Sequence, residues 1–209
     1  MFRVENLRMQ SKMLLMAGIF ALGFGIFGVI SYQTLNTVKV NGSHYHEVIR
    51  DKDLIADVLP PPAYIVEAYL TCHILPEEKD PQKFEQRIVS LQQLKDEFNA
   101  RQSHWKANLP DSPMREELCS ESRRTAEQFF DQALNQFVPL LKAGKNDEAD
   151  AILGGPMAQA FETHRASINK VVEAATELAK ADEAEVSSIV IWRTWIMVVV
   201  GIGLLGTVL

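Results

Sequence analysis

The sequence predicts an all-α protein in which an extracytoplasmic up-down-up-down four-helix bundle lies between two transmembrane helices. Three observations predict this fold class. Two stretches of the 209-residue chain are almost purely apolar, apolar residues between them recur at helical intervals, and no segment shows the alternation of a β-strand. Short turns rich in proline and glycine separate the helical patterns, which is typical of such a bundle.

The first apolar stretch, Met13 to Ile30, has 18 residues without a charge, and Ser31 and Tyr32 extend it to the length of a membrane helix. A cleaved signal peptide has an apolar region of about 7–15 residues and a small-residue cleavage site. The run here is longer, and no Ala-x-Ala pattern follows it. We therefore expect an uncleaved transmembrane helix over residues 13–32.

The second apolar stretch runs from Ile189 to Leu209 and contains one charge, Arg193, between Trp192 and Trp195. Aromatic rings at the level of the lipid headgroups, beside a long cation that reaches toward water, are typical of a helix entering a membrane. The sequence therefore predicts a second transmembrane helix over residues 189–209. We expect a further domain after Leu209, through which cytoplasmic signalling proteins would be contacted.

The charges outside the two apolar stretches predict the orientation in the membrane and disfavour one class of partner. The segment 1–12 carries three Lys/Arg residues against one glutamate, so the positive-inside rule places it in the cytoplasm. Residues 33–188 then lie outside, in a periplasm or extracellular space. They contain 17 Lys/Arg and 26 Asp/Glu, a net charge of −9, which disfavours nucleic acid as a partner.

Four bundle helices are predicted within residues 33–188. The first covers residues 33–75, because only with that length does it approach the last helix, 156–188, at ~1.5 Å per residue. Three consecutive prolines, Pro60, Pro61 and Pro62, then lie inside the first helix. Each proline removes a backbone N–H and clashes with the preceding turn, at a cost of ~3 kcal/mol, and leaves carbonyls that need other donors.

The remaining helices are bounded by capping signals. Asp80 followed by Pro81 predicts the start of the second helix, and Ser112 followed by Pro113 predicts the start of the third. The third ends at Ala143-Gly144-Lys145-Asn146-Asp147. A short helical turn is expected over 148–153. Gly154-Gly155-Pro156 is then expected to interrupt the helical pattern and to start the last helix.

Counting helix rise from the membrane predicts a ligand site at the level of the prolines. Phe161, His164 and Arg165 of the last helix reach that level, and so does the stretch Leu134 to Leu141 of the third. The predicted ligand-binding residues are Asp57, Pro60, Pro61, Pro62, Tyr64, Glu67, Tyr69, Phe161, His164 and Arg165.

The chemistry of these residues suits a small molecule, but structural roles are equally compatible with it. Tyr64 with Asp57 or Glu67 suits an amine, and Arg165 suits a carboxylate. Alternatively, the tyrosines belong to the core behind a helix N-terminus, and Arg165 forms an ion pair with Glu67 or Asp57.

Other chemistries are not expected. Arg50 and Lys52 are further candidates for binding an anion, although a solvated helix face explains them as well. His44 and His46 are two residues apart and face different sides of a helix, so no metal or other cofactor is predicted. No nucleophile–base pair predicts catalysis. Cys72 and Cys119 lie at opposite ends of the predicted bundle, too far apart for a disulfide.

Two segments resemble the sensor regions of bacterial methyl-accepting chemotaxis proteins. One is Asp53 to Leu70, with its core Asp-x-Leu-Pro-Pro-Pro-x-Tyr-x-x-Glu, and the other runs from Gly155-Pro156 through His164-Arg165 to Val172. The resemblance implies the sensor half of a homodimeric chemoreceptor that binds a small molecule in the periplasm. Two alternatives remain open: the sensor half of a membrane histidine kinase or cyclic-nucleotide enzyme, and a membrane-anchored interaction bundle without a small-molecule site.

Overall fold

The computed structural model describes residues 8–38, 43–58 and 64–206. Pro60, Pro61 and Pro62 therefore lie outside the described residues. The chain divides into two compact units, one formed by residues 1–49 and 179–209 and the other by residues 50–178. No strand occurs among the residues that the structure describes, in agreement with the predicted all-α class.

The first predicted bundle helix is interrupted. Helix α1 covers Met9–Val38, α2 covers Ser43–Val58 and α3 covers Val66–Ile74. Tyr64 and Ile65 form a bend and a turn before α3, so the prediction of one helix through residue 75 was wrong at this point. The three prolines of the sequence explain the interruption, because they remove donors from the helical ladder and disfavour helical backbone in the preceding residue.

Helix α4 covers Pro81–Asn108, and its predicted start is confirmed. The Asp80 carboxylate accepts hydrogen bonds from the backbone N–H groups of Gln82, at 2.9 Å, and Lys83, at 3.4 Å. The start of the next helix is confirmed as well, since the Ser112 hydroxyl accepts from the backbone N–H of Arg115 at 3.2 Å. Both caps satisfy donors that the first helical turn cannot use.

The third bundle helix is a continuous run from residue 113 to residue 142 with two π-helical segments in it. Its α-helical parts are α5, Pro113–Glu116, α6, Arg123–Gln132, and α7, Val138–Lys142. The π segments are π1, Glu117–Ser122, and π2, Ala133–Phe137. The run ends where Gly144 takes a φ of +70°, a left-handed conformation that glycine adopts without strain.

The last helix is also continuous, so the break predicted at Gly154-Gly155-Pro156 was wrong. Helix α8, Asn146–Ile152, passes through the π segment π3, Leu153–Met157, into α9, Ala158–Gly206. A proline normally ends or kinks an α-helix because it has no N–H and meets the preceding turn. Here Pro156 lies within π3, where the hydrogen-bond register shifts by one residue and the helix absorbs the irregularity.

Two groups of buried side chains form the core of the unit 50–178. One group is rich in phenylalanine and includes Phe98, Phe129, Phe130 and Phe137. The other is Leu54, Trp105, Leu109, Met114, Leu118, Ile168, Val171 and Ala175. Glu117 Oε1 lies 3.3 Å from Lys170 Nζ, so the first turns of the third helix lie beside residue 170 of the last helix.

The other unit pairs α1 with the C-terminal part of α9. Two helices, Met9–Thr37 and Asn146–Gly206, contain stretches long and apolar enough to cross a membrane. The Ser31 hydroxyl contacts the Met197 sulfur at 3.2 Å, and Arg193 Nη1 lies 3.4 Å from the Thr37 hydroxyl. Ser31 lies beside Met197 and Thr37, farther along α1, lies beside Arg193, earlier in α9, so the two segments run antiparallel.

Candidate functional site

The Tyr64 ring is the centre of an aromatic cluster in the unit 50–178. Tyr64 is half-buried in the turn before α3. Its ring stacks against Phe161, with centroids 5.9 Å apart, and against His164, at 6.0 Å, with interplanar angles of 16° and 23°. Phe161 and His164 are three residues apart on α9 and therefore share one face of that helix.

Tyr69 extends this cluster to the third bundle helix. Its ring stacks on Phe161 at 4.2 Å and meets Phe129 edge-on at 5.9 Å. His73 completes the contacts with an edge-on approach of 4.5 Å. The third helix therefore reaches this level near Phe129, and the predicted level of Leu134 to Leu141 was wrong. The reason is that the third helix starts farther from residue 188 than the count assumed, since its Glu117 pairs with Lys170 of the last helix at 3.3 Å.

His164 is fully buried beneath Tyr64 and is held by the third helix. Its Nδ1 lies 3.0 Å from the carbonyl oxygen of Ser122, the last residue of π1. Since a carbonyl only accepts, Nδ1 carries the proton and donates it to this bond. The Phe98 ring of α4 meets the imidazole at 6.0 Å with an angle of 67°. From the last helix, His164 thus contacts α4, the third helix and the turn before α3.

Charged groups lie at the solvent-facing rim of the cluster. Arg165 Nη2 is 2.9 Å from Glu162 Oε2, and both side chains are more than half exposed. The partner of Arg165 is therefore Glu162, where the sequence pointed to Glu67 or Asp57. Burial raises the pKa of the Tyr64 phenol, while the Arg165 charge opposes that shift and Glu162 adds to it. The phenol consequently stays neutral and acts as both donor and acceptor.

Two predicted site residues do not join the aromatic cluster. Asp57 bridges α2 to α4, where it accepts from Arg101 Nη2 at 2.6 Å and from Trp105 Nε1 at 3.1 Å. Glu67 is exposed in the first turn of α3, where a carboxylate is favoured by the helix dipole. Arg50, a candidate for binding an anion, pairs with Asp51 at 2.9 Å.

The cluster combines the half-buried ring and neutral phenol of Tyr64 with the exposed guanidinium of Arg165 nearby. Such a surface suits a small planar or carboxylate-bearing molecule, with Tyr64 as stacking partner and Arg165 as charged partner. Sequence reasoning missed Ser122, Phe98 and Phe129 as neighbours. Their helical spacing placed the two phenylalanines on core faces, but spacing within one helix carries no information on contacts with another.

Neither a group of metal ligands nor a reactive thiolate is found among the described residues. Within residues 8–38, 43–58 and 64–206, no three His, Cys, Asp or Glu side chains are grouped to hold a metal ion. Cys72 and Cys119 are both free thiols. Burial raises the pKa of Cys72 to about 12 and also raises that of Cys119, so both remain protonated at neutral pH.

Comparison with known proteins gives one match. A family model described as a four helix bundle sensory module for signal transduction matches residues 6–190. No curated protein and no solved structure shows a significant match to the chain.

Proposed function

This chain belongs to the family of four-helix-bundle sensory modules for signal transduction of methyl-accepting chemotaxis proteins, and from that premise we propose that it binds a small molecule outside the cytoplasm and passes the signal across the membrane. The family is a sensory module and not a catalytic domain. The proposal places the chain in a bacterial inner membrane as a homodimer, with residues 33–188 in the periplasm and spans over residues 13–32 and 189–209.

The observation that carries the proposal is the stacking of Tyr64 on Phe161 and His164. Tyr64 lies in the bend just before α3, while its two partners belong to α9. A ligand stacked against Tyr64 and paired with Arg165 therefore contacts two elements at once. A ligand shifts a conformational equilibrium only through its differential affinity for the two states, and a contact that joins two elements provides such a difference.

Signal passage is proposed to follow the last helix. Helix α9 contains both His164 and the second apolar stretch, without an interruption between them. In this proposal a small translation or rotation started at the cluster passes along that helix. Trp192, Arg193 and Trp195 set the resting depth of the span in this proposal, because aromatic and cationic residues prefer the membrane interface.

The test is ligand-induced stabilisation of the full chain in lipid nanodiscs. Thermal unfolding, followed by circular dichroism, is measured against a panel of small carboxylates and amines. A ligand at about 100 times its Kd adds ~2.7 kcal/mol of stability. We expect a hit whose stabilisation is lost in Tyr64→Ala and reduced in Arg165→Ala.

The matched control is Lys145→Ala. Lys145 forms an exposed ion pair with Glu148 three residues away, as Arg165 does with Glu162, but it lies in the turn before α8. Stabilisation that survives both test variants contradicts the site. No stabilisation by any member of the panel contradicts direct binding of these ligand classes.

A further inference from the structure

The two apolar helices approach each other closely at one glycine. Helix α1 contains Gly18, Gly23, Gly25 and Gly28, and of these four only Gly23 is buried. A Cβ atom added to Gly23 would lie 2.7 Å from Cδ1 and 2.9 Å from Cγ of Leu204 on α9. Carbon atoms in contact normally keep about 3.5–4.0 Å apart. The Leu204 side chain therefore occupies the space that a side chain at position 23 would fill.

The other glycines of α1 show that this close approach is confined to one face. A Cβ atom added to Gly18, Gly25 or Gly28 would meet no heavy atom of the described residues within 4 Å. Gly25 points about 160° away from Gly23, because successive residues of an α-helix are turned by about 100°. The same helix thus provides one glycine that α9 contacts and a matched glycine that it does not contact.

Large side chains lie on either side of Gly23. Phe20 is three residues before it and Phe27 is four residues after it, so both share its face of α1, one turn away in each direction. We call the depression formed by Phe20, Gly23 and Phe27 the Gly23 notch. A slide of α9 by one helical turn, about 5.4 Å, moves Leu204 out of the notch and toward one of the two rings.

Two further contacts belong to the same antiparallel interface. The Ser31 hydroxyl contacts the Met197 sulfur at 3.2 Å, and Arg193 Nη1 lies 3.4 Å from the Thr37 hydroxyl. Methionine and arginine are long, flexible side chains that follow a small displacement of the backbone. A branched leucine held between two rings does not, so the Gly23 notch is the contact most sensitive to the relative height of the helices.

Close packing is what favours one relative height over another inside a membrane. Lipid tails are as apolar as leucine, so Leu204 gains nothing from the hydrophobic effect when it leaves the lipid for α1. It gains van der Waals contacts where a small residue lets the helices approach. In this interface those contacts are available when Leu204 is opposite Gly23.

We propose that Gly23 is a positioning residue for the second span. The Gly23 notch holds Leu204 and thereby fixes the height of α9 against α1. This inference rests on the proposed membrane placement of both helices, but it does not depend on the ligand site. A signal that travels along α9 then starts from a height that the Gly23 notch defines.

The experiment measures intramolecular disulfide formation in the full chain in lipid nanodiscs, with Cys72→Ala and Cys119→Ala removing the free thiols. Ser31→Cys with Met197→Cys reports the height seen in the structure, and Ser31→Cys with Gly201→Cys reports a slide of one turn. The first pair is expected to form its disulfide about tenfold faster, because one turn exceeds the range that a disulfide tolerates. Equal rates overturn the proposal.

The matched variants are Gly23→Leu and Gly25→Leu, which add the same side chain to opposite faces of α1. Gly23→Leu is expected to lower the ratio of the two disulfide rates by at least about fivefold, because the added side chain overlaps Leu204. Gly25→Leu enters open space and should leave the ratio unchanged. An unchanged ratio in Gly23→Leu, or an equal loss in Gly25→Leu, overturns the proposal.

Two variants of Leu204 separate positioning from a general loss of structure. Gly23→Leu combined with Leu204→Gly exchanges the large and the small residue between the helices and should restore the ratio. Leu204→Ala adds no bulk anywhere, so it should still insert and fold, and it should raise the rate of the shifted pair. Failure of the exchange to restore the ratio, or an unchanged ratio in Leu204→Ala, overturns the proposal.

Tyr64→Ala distinguishes this proposal from the ligand site. It is expected to keep the ratio of disulfide rates, because the Gly23 notch involves only the two apolar helices. Loss of the ratio in Tyr64→Ala overturns the independence of the notch from the aromatic cluster. Absence of stabilisation by carboxylates and amines, with the ratio intact, contradicts only the ligand binding in the proposed function.

Discussion

The Asp57→Ala substitution distinguishes a structural from a ligand-binding role for the carboxylate that the sequence assigned to a pocket. In the structure, Asp57 accepts from Arg101 and from Trp105 and thereby ties α2 to α4. We expect the substitution to lower the free energy of unfolding by about 2–3 kcal/mol and to leave ligand affinity unchanged.

The magnitude follows from the exposure of the three side chains. Trp105 is only 4% exposed, so losing its acceptor leaves a buried indole N–H without a partner, at a cost of about 1–3 kcal/mol. The Arg101 side chain is 40% exposed and that of Asp57 is 19% exposed, so water screens the ion pair and it adds only about 0.5–1 kcal/mol. The melting temperature should fall by roughly 4–12 °C.

The assay is thermal unfolding of the full chain in nanodiscs, followed at 222 nm, with Asp53→Ala as the control. Asp53 is an exposed carboxylate one turn earlier on α2, and removing it should change stability by less than about 0.5 kcal/mol. Arg101→Ala should cost about 1 kcal/mol, because Asp57 then keeps its bond to Trp105. Equal stability of the Asp57 and Asp53 variants, or loss of ligand binding with stability intact, refutes the structural role.

Three further predictions concern stability. Burial raises the pKa of Cys72 to about 12 from an ordinary thiol value of ~8.5. The contribution of this buried thiol to stability should therefore be fully present below pH ~8.5 and decline toward pH 12, with about 2–3 kcal/mol lost near pH 10.5. Melting curves of Cys72→Ala should lack this decline. Asp80→Ala should cost ~1 kcal/mol in chemical denaturation, because the Gln82 N–H loses its cap; a neutral result contradicts the capping role. Gly144→Ala should cost ~1 kcal/mol at its φ of +70°, whereas Gly154→Ala, in a helix with open space at the Cβ position, should be neutral or stabilising; equal effects contradict the argument.

Elements that depend on neighbours in the chain were predictable from the sequence. The helix starts at Asp80 and Ser112 were foreseen because a cap is a contact between residues two or three positions apart. The turn at Gly144 follows from the same local chemistry. The apolar stretches and the all-α class were foreseen because hydrophobic length and period are properties of the sequence itself.

Helix continuity and relative height were less predictable. Gly154-Gly155-Pro156 has the composition of a break, yet the last helix passes through it as π3. Packing of neighbouring helices stabilises a register shift that local propensity alone would not favour. The height of the third helix was misplaced because the count started from residue 188, whereas Glu117 near the start of that helix pairs with Lys170.

The candidate site shows the same division. The sequence determined that aromatic and charged residues suited to a ligand occur around Tyr64 and around Phe161, His164 and Arg165, and helix rise predicted that they lie at one level. Only the tertiary structure decided that Tyr64 stacks on both Phe161 and His164, and that Asp57 bonds to Arg101 and Trp105 instead. The physical reason is that rotation and offset between helices are set by core packing over the whole bundle, while caps, turns and apolar length are set within a few residues.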